Sequence, residues 1–440
     1  MTTALQNLTG IVTTDLAAVT RGRFVATERL GKIAATGVGW LQANLSLTPF
    51  NAIADPNPWG SQGDLRLIPD PDARFRTEHT GAATAFDMVP GYLVDLDGTP
   101  WSCCSRTILR DAIAALEAET GLSVLAAVEQ EFQVFGAGLP AAQVLSFEGL
   151  RRADSFAPQV MAALDQAGVA PEVIISEYGE DQFEVTHEPA GAMAAADRAV
   201  AIREIVREIC RLRGWRASFA PKTSMQSVGN GVHIHFSLVD RQGHPVTYDS
   251  NGLAGLSRQA ASFCAGIIRH LQAITALTAS SVSSYYRLRP HNWSSAYTWL
   301  GDRDREATLR ICPTVTIGGR DPAKSFNIEY RAADGTANPY LAMAAIIRAG
   351  LEGLRAGLPA PPVVSGDPAM MDADERRAKG LMRLPEDLPA ALAALSADPV
   401  VAGWFTPIFL ETFTGMKASE MKALDGLDAA AICTRYRDVY

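Results

Sequence analysis

The chain has 440 residues, 48% of them hydrophobic and 20% charged, with a formal net charge of −9. That length allows two or three domains around a large buried core. The negative balance excludes a general nucleic-acid or anionic-membrane surface, which needs a positive field, but leaves room for a local anion site.

From the start, GIVTTDLAAVTRGRFVATERL reads as strand, turn, strand, with the turn at Arg21-Gly22-Arg23. GDLRLIPDPDARF (63–75) and FDMVPGYLVDLDGTPWS (86–102) add short strands broken by Pro and Gly. The first hundred or so residues therefore form a small strand-rich unit. From Arg106 the texture changes: SRTILRDAIAALEAET is an amphipathic helix leading into VLAAVEQEFQVF. Helices are expected at 151–167, 190–213, 253–277 and 338–356, with strands PEVIISE, DQFEV, GVHIHFSLVD and FNIEYRAA between them. The tail is mainly helical. The six cysteines are scattered apart from Cys103 and Cys104, with no CxxC and no zinc-type spacing. They fit a reducing, cytoplasmic setting. MTTALQNLTG lacks the basic and apolar runs of a signal peptide. No continuous run reaches the roughly 18 apolar residues of a membrane span. Neither nucleic acid nor membrane is expected as a partner.

Alternate residues of a strand share a face. In VEQEFQVF, Val128, Phe132 and Val134 then point one way, and Glu129, Glu131 and Gln133 the other. Such alternation is also the ordinary signature of a half-solvated strand. The same test on GVHIHFSL groups His233, His235 and Ser237, and on FNIEYR it groups Asn327, Glu329 and Arg331. Glu177 and Glu184 flank a Gly-containing turn, so neighbouring strands can each present one carboxylate. Together these segments describe a sheet with one face on helices and the other lining a charged cleft. Five carboxylates crowded there repel one another unless cations neutralise them. Oxygen ligands plus an imidazole, without thiolate, favour Mg²⁺ or Mn²⁺ over zinc. Arg287, Arg289, Arg303, Arg305 and Arg310 fall within 24 residues, followed by Arg331. Guanidinium forks suit carboxylate and phosphate oxygens. With no Walker-type GxxxxGK[ST], the set points to phosphoryl transfer on a fold other than the P-loop.

The ordered series VEQEF, SEYGEDQFE, APKTS…GNGVHIHFSL, YYRLRP, DREATLRI and NIEYRAADGTANPYL resembles the type I glutamine synthetase family over nearly the whole chain. The resemblance implies an α+β architecture: an N-terminal β-grasp-like domain over 1–105 and a catalytic domain over 106–440, whose curved antiparallel sheet is surrounded by helices. It implies a homo-oligomer, a dodecamer of two stacked rings with sites between neighbouring subunits. By position, Glu131, Glu177 and Glu184 look like ligands of a first metal, and Glu129, His233 and Glu329 like those of a second. Glu172, His235 and Ser237 fall where the family holds ATP. Gly229, Arg287 and Arg331 fall where it binds L-glutamate, with His233 beside them, and Arg305 and Arg310 where it steadies the phosphates. Asp64 matches a family acid near the amine site.

The departures from glutamine synthetases proper cluster. GVGWLQANLSLTPF has no acid where the family carries an Asp, and the flap Glu expected six residues after Arg287 is Trp293. An indole cannot deprotonate ammonium. Trp293, Trp40 and Leu41 point to a small organic amine with an apolar part, as in the family's γ-glutamylamide synthetases, which the tail also resembles. Asn327 stands where the family usually has Arg. The expected activity is ATP-dependent formation of a γ-glutamylamide through a γ-glutamyl phosphate. The alternatives are a glutamine synthetase using ammonia, a ligase of another acid, and a catalytically inactive scaffold.

Overall fold

The computed structural model describes residues 5–440. Six strands, β1 (Leu8–Thr14), β2 (Thr20–Ala26), β3 (Val38–Leu41), β4 (Asp64–Pro69), β5 (Phe75–Thr77) and β6 (Phe86–Val94), form one sheet in the order β2-β1-β6-β4-β3, with β5 also on β6. β1 and β6 run parallel at its centre and the other pairs antiparallel, the mixed pattern of a β-grasp-like sheet. The turn expected at Arg21–Arg23 is not there. Those residues lie inside β2, and the chain reverses at 15–19. Asp15 decides this: its Oδ1 accepts the N–H groups of Ala17 and Val19, both at 2.9 Å, while Ala18 takes φ 58°. A side chain that bonds its own following amides mimics a backbone turn, and Arg-Gly-Arg has no such acceptor.

The second sheet has ten strands: β7 (Ser123–Phe135), β8 (Pro171–Ser176), β9 (Gln182–His187), β10 (Ala190–Gly191), β11 (Arg216–Ser218), β12 (Val232–Val239), β13 (Leu300–Asp302), β14 (Leu309–Ile311), β15 (Ile328–Tyr330) and β16 (Val363–Val364). The order is β16-β13-β14-β15-β12-β7-β9-β8, with β10 and β11 also on β7. From β14 to β8 every pairing is antiparallel; β13 runs parallel to both β14 and β16, so the antiparallel expectation fails only at that edge.

Three element boundaries differ from the sequence reading. The helix expected at 151–167 is two, Phe147–Arg151 and Phe156–Gln166. Pro158 is tolerated only in a first turn, so the helix must restart just before it, and Ser155 makes the break at φ 66°. The helix expected from 253 begins at Arg258, where the Ser257 hydroxyl accepts the Ala260 N–H at 3.1 Å. FNIEYRAA narrows to three formal strand residues. Its pairing continues at both ends, through the Cys312 N–H to the Asn327 carbonyl at 3.1 Å and the Arg331 N–H to the Thr308 carbonyl at 3.0 Å.

Alternation along β7 buries Val124, Ala126, Val128, Phe132 and Val134 in one continuous core, against which the Ala192–Leu212 helix packs. Gln130 is on the same side and fully buried. Its amide donates to the Ala199 carbonyl at 2.8 Å and accepts from Arg203 Nε at 2.8 Å, which satisfies the one polar side chain among these residues. The Arg258–Thr278 helix is long and apolar enough to cross a membrane but is packed inside the protein. It meets the Pro339–Arg355 helix backbone to backbone: a Cβ on Gly266 would lie 2.1 Å from the Ala349 carbonyl oxygen, and one on Gly353 would lie 2.0 Å from that of Ser262. A side chain at either position forces the helices apart. Gly266→Ala is expected to destabilise the protein by about 1–3 kcal/mol through overpacking. Thermal unfolding of the variant checks this; an unchanged melting temperature would show that the crossing tolerates separation.

Candidate functional site

Strand register builds the charged face. Pairing sets His233 opposite Glu129, Glu131 opposite Glu184, and Glu329 opposite both His235 and Arg310. Five adjacent strands thus carry acids, imidazoles and a guanidinium on one side of the sheet, as the period-two reading expects. Glu177 follows the last residue of β8, and its N–H donates to the Gln182 carbonyl at 2.8 Å, so it sits beside Glu184 across the turn.

Glu329 is the most enclosed member, only 1% exposed. Its Oε2 accepts Arg310 Nη1 at 2.8 Å, and its Oε1 accepts Arg331 Nη1. His233 Nδ1 lies 3.1 Å from Glu129 Oε2 and 3.6 Å from Glu329 Oε1. His235 Nε2 lies 3.1 Å from Glu129 Oε1, and its Nδ1 lies 2.9 Å from Asn327 Oδ1. Glu131 Oε2 accepts the Gly231 N–H at 2.7 Å.

These contacts split the acids into two groups. Burial opposes ionisation of Glu129, but hydrogen bonds and charge from His233 and His235 outweigh it and hold its carboxyl well below the usual range. Burial likewise opposes ionisation of Glu329, and the charges of His233, Arg331 and His235 override it, bringing it down to about 2. His235 is held well above its ordinary value: burial opposes its charge, and contacts to Cys312 and Glu129 outweigh that. Glu184 has no such partner. Burial first, and then the charges of Glu129, Glu131, Glu177 and Glu329, push it up to about 9. Glu177 is raised by burial and by Glu131. Glu177 and Glu184 therefore stand without a close ion-pair partner among the described residues. Glu129, Glu184 and His233 each offer a ligand atom within 4.8 Å of the others. Oxygen donors with one imidazole and no thiolate fit a hard divalent cation such as Mg²⁺ or Mn²⁺.

Two cavities meet at this face. One of about 540 Å³ is lined by Glu129, Glu131, Glu177, Glu184, Gly229, His233, Arg287, Trp293, Arg305 and Arg331. The other, of about 430 Å³, is lined by Glu129, Glu172, Glu184, His235, Ser237, Lys324 and Asn327, among others. Glu129 and Glu184 border both. Gly229 and Gly231 are needed for closeness: a Cβ on Gly229 would lie 2.9 Å from Arg287 Cγ, and one on Gly231 would lie 2.6 Å from Arg287 Nη2 and His233 Nε2. Arg287 is buried, with Nη1 on the Ala333 carbonyl at 3.0 Å and Nη2 on that of Arg331 at 3.1 Å. Arg310 lines neither cavity and reaches the site through Glu329 alone.

Within one chain, three residues expected near the amine, Asp64, Trp40 and Leu41, stand away from both cavities. Asp64, at the start of β4 opposite Leu41, lines neither cavity. Trp40 is buried in the hydrophobic core and presents no face to an amine, because the alternation of β3 turns it inward and leaves Leu41 exposed. Conversely, Tyr178 was missed. Its ring stacks on Trp293 with centroids 6.0 Å apart at 25°, and both rings stay open, at 51% and 61% exposure. An aromatic directly after a candidate ligand, in EYG, was the available signal. Trp293 holds φ 53°. Its N–H donates to Glu306 Oε1 at 2.7 Å, and its carbonyl accepts Arg331 Nη2 at 3.2 Å. Glu306 also binds the His291 N–H, at 3.2 Å. A non-glycine residue in the left-handed region persists only where surrounding bonds impose it.

The sequence matches the glutamine synthetase N-terminal domain over residues 2–101 and the glutamine synthetase catalytic domain over residues 102–431. It is 36% identical over 436 residues to the gamma-glutamylpolyamine synthetase GlnA3 of Streptomyces coelicolor, covering 97% of this chain and 92% of that protein. It is 31% identical over 395 residues to the glutamine synthetase of Thermococcus kodakarensis, covering 88% and 83%. Among solved structures, a novel glutamine synthase homolog superposes with a TM-score of 0.92 at 42% identity, with both chains covered completely. A GmaS–ADP complex superposes with a TM-score of 0.81 at 25% identity, covering 96% of this chain and 95% of that one. The chain carries both domains of a glutamine synthetase in order, around a face of acids and imidazoles: it belongs to the glutamine synthetase family and is a ligase of that family.

Proposed function

We propose that this ligase joins the side-chain carboxylate of L-glutamate to a small organic amine at the expense of ATP, giving a γ-glutamylamide, ADP and phosphate. The observation that carries the reading is the open Tyr178–Trp293 pair on the wall of the acid-lined cavity. Aromatic faces bind alkyl groups and attract ammonium groups. The similarity to a gamma-glutamylpolyamine synthetase supports the same reading. Within one chain, the flap offers ammonium no free acid among the described residues. Glu306, near the flap, has both oxygens committed to backbone N–H groups, and Asp64 lies outside the cavity.

In this reading the larger cavity takes glutamate and the smaller takes the nucleotide, with the acids they share between them. Glu131, Glu177 and Glu184 would hold one divalent ion, and Glu129, His233 and Glu329 a second. Such ions supply charge neutralisation for the transferring phosphoryl group. Gly229 and Arg287 shape the glutamate end. Glu172, His235 and Ser237 face the nucleotide, and Lys324 supplies that cavity with a cation where Asn327 replaces the family's arginine. Arg305 is exposed at the mouth and available to the phosphoryl group. Phosphorylation of glutamate makes its side chain an acyl donor. The amine must then attack the acyl carbon as the neutral base, with phosphate as the leaving group, and the aromatic pair offers a face for its alkyl part.

Glu131→Ala is expected to lower amine-dependent phosphate release by more than about 100-fold, since even residues supporting a metal ligand cost 10–100-fold. Undiminished release would take Glu131 out of the metal set. Trp293→Glu is expected to shift the ratio of kcat/KM for ammonium over larger amines upward by about tenfold or more, within the usual range for one pocket contact. A panel of amines including ammonium measures the ratio, and an unaltered profile would disprove selection by the indole.

The acid cluster also sets a pH dependence. Glu184 keeps its proton in the folded protein up to about pH 9, whereas an unfolded glutamate loses it near about 4.3. The folded state therefore binds more protons across that window. The contribution of this group is full below the unfolded value and is lost as pH rises toward the folded one. Without divalent ions, the melting temperature should fall between about pH 7 and pH 9, and Mn²⁺ should raise it more at the upper end. Glu184→Gln should flatten the difference. A Mn²⁺ effect independent of pH would show that the ion does not displace this proton.

A further inference from the structure

Cys312 takes no part in the reaction described above. It directly follows β14, and its N–H bond to the Asn327 carbonyl fixes it beside β15. Residues two apart on a strand share a face, so Cys312 stands with Arg310 on the side that carries Glu329 and Asn327. Cys312 is buried, 7% exposed. Its Sγ lies 3.6 Å from His235 Nδ1, 3.8 Å from Glu329 Oε2, and 4.0 Å from both Arg310 Nη1 and the Arg310 carbonyl. His235, Cys312 and Glu329 each offer a ligand atom, all within 4.8 Å of one another.

Those separations have a meaning. A zinc ion binds sulfur at about 2.3 Å and nitrogen or oxygen at about 2.0–2.2 Å, which puts the neighbours of a tetrahedral site about 3.4–3.7 Å apart. The sulfur-to-nitrogen edge, at 3.6 Å, already has that length, and the sulfur-to-oxygen edge, at 3.8 Å, is slightly longer. Thiolate, imidazole and carboxylate together are a donor set for zinc or cadmium, not for magnesium.

We propose that His235, Cys312 and Glu329 form a site for a thiophilic divalent cation, Zn²⁺ or Cd²⁺, entered from the cavity that His235 lines. On binding, the Cys312 thiol and His235 Nδ1 each give up a proton to solvent, and His235 exchanges its hydrogen bond to Asn327 for the metal. The Arg310 guanidinium remains as counter-charge to the bound carboxylate. Because Glu329 would belong to both sets, the thiophilic ion and the hard ion exclude each other, and zinc acts as an inhibitor. The binding claim stands without the ligase reading; the inhibition claim rests on it.

The test is titration of the full-length protein with Cd²⁺ in excess Mg²⁺, followed by the sulfur-to-cadmium charge-transfer absorption. One equivalent per chain should develop the band in the natural protein and not in Cys312→Ser or Cys312→Ala, while the other five free cysteines serve as an internal control. A band of equal strength in either variant overturns the site. In parallel, phosphate release is measured against Zn²⁺. Cys312→Ser should need at least about tenfold more zinc for half-inhibition, as the loss of one ligand implies. Equal inhibition with the cadmium band lost would overturn mutual exclusion and leave the binding claim supported.

Discussion

A carboxylate with almost no access to water holds this site together. Glu329 is the point where β14, β15 and β12 are joined by charge: Arg310 on one oxygen, Arg331 on the other, His233 and His235 close by. An isolated buried carboxylate costs several kcal/mol or more, on the order of the whole stability of a domain. Two guanidinium groups make it affordable, and in doing so they fix strand register, because a slip of one residue would carry Glu329 to the apolar face. The remaining acids hang from the same register but lack comparable partners. One side of the face is neutralised by the chain itself, and the other depends on what it binds.

That asymmetry explains how much of the molecule was legible beforehand. Alternation places Glu129, Glu131, His233, His235 and Glu329 on one face, and the pairing of β7, β12 and β15 brings them together as the pattern implied. The long helices were legible for the same reason: each buries a stripe that its sequence displays. Side-chain hydrogen bonds that override a local pattern were not. Asp15 moves the first reversal away from a Gly-containing segment that looked like the better turn. Pro158 splits a helix that composition would have kept whole.

Proximity across distant segments was the other blind spot. Nothing near Cys312 in the sequence points to His235, and nothing in EYG says that Tyr178 meets Trp293. Trp40 shows the converse error, since an aromatic placed near a site by analogy was turned into the core by strand alternation. Asp64 belongs to a different sheet from the acid face, and within one chain the two do not meet.

Arg331 ties the acid face to the segment that carries Trp293. One terminal nitrogen grips Glu329, the other holds the carbonyl of Trp293, and Nε holds that of Arg305 at 2.8 Å. A planar, rigid fork cannot satisfy three partners independently. Any event that draws Glu329 toward a cation therefore tugs on the segment that carries the indole. Occupancy of the acid face and the position of the Trp293 segment are thereby coupled, and the coupling is reciprocal: whatever settles one biases the other.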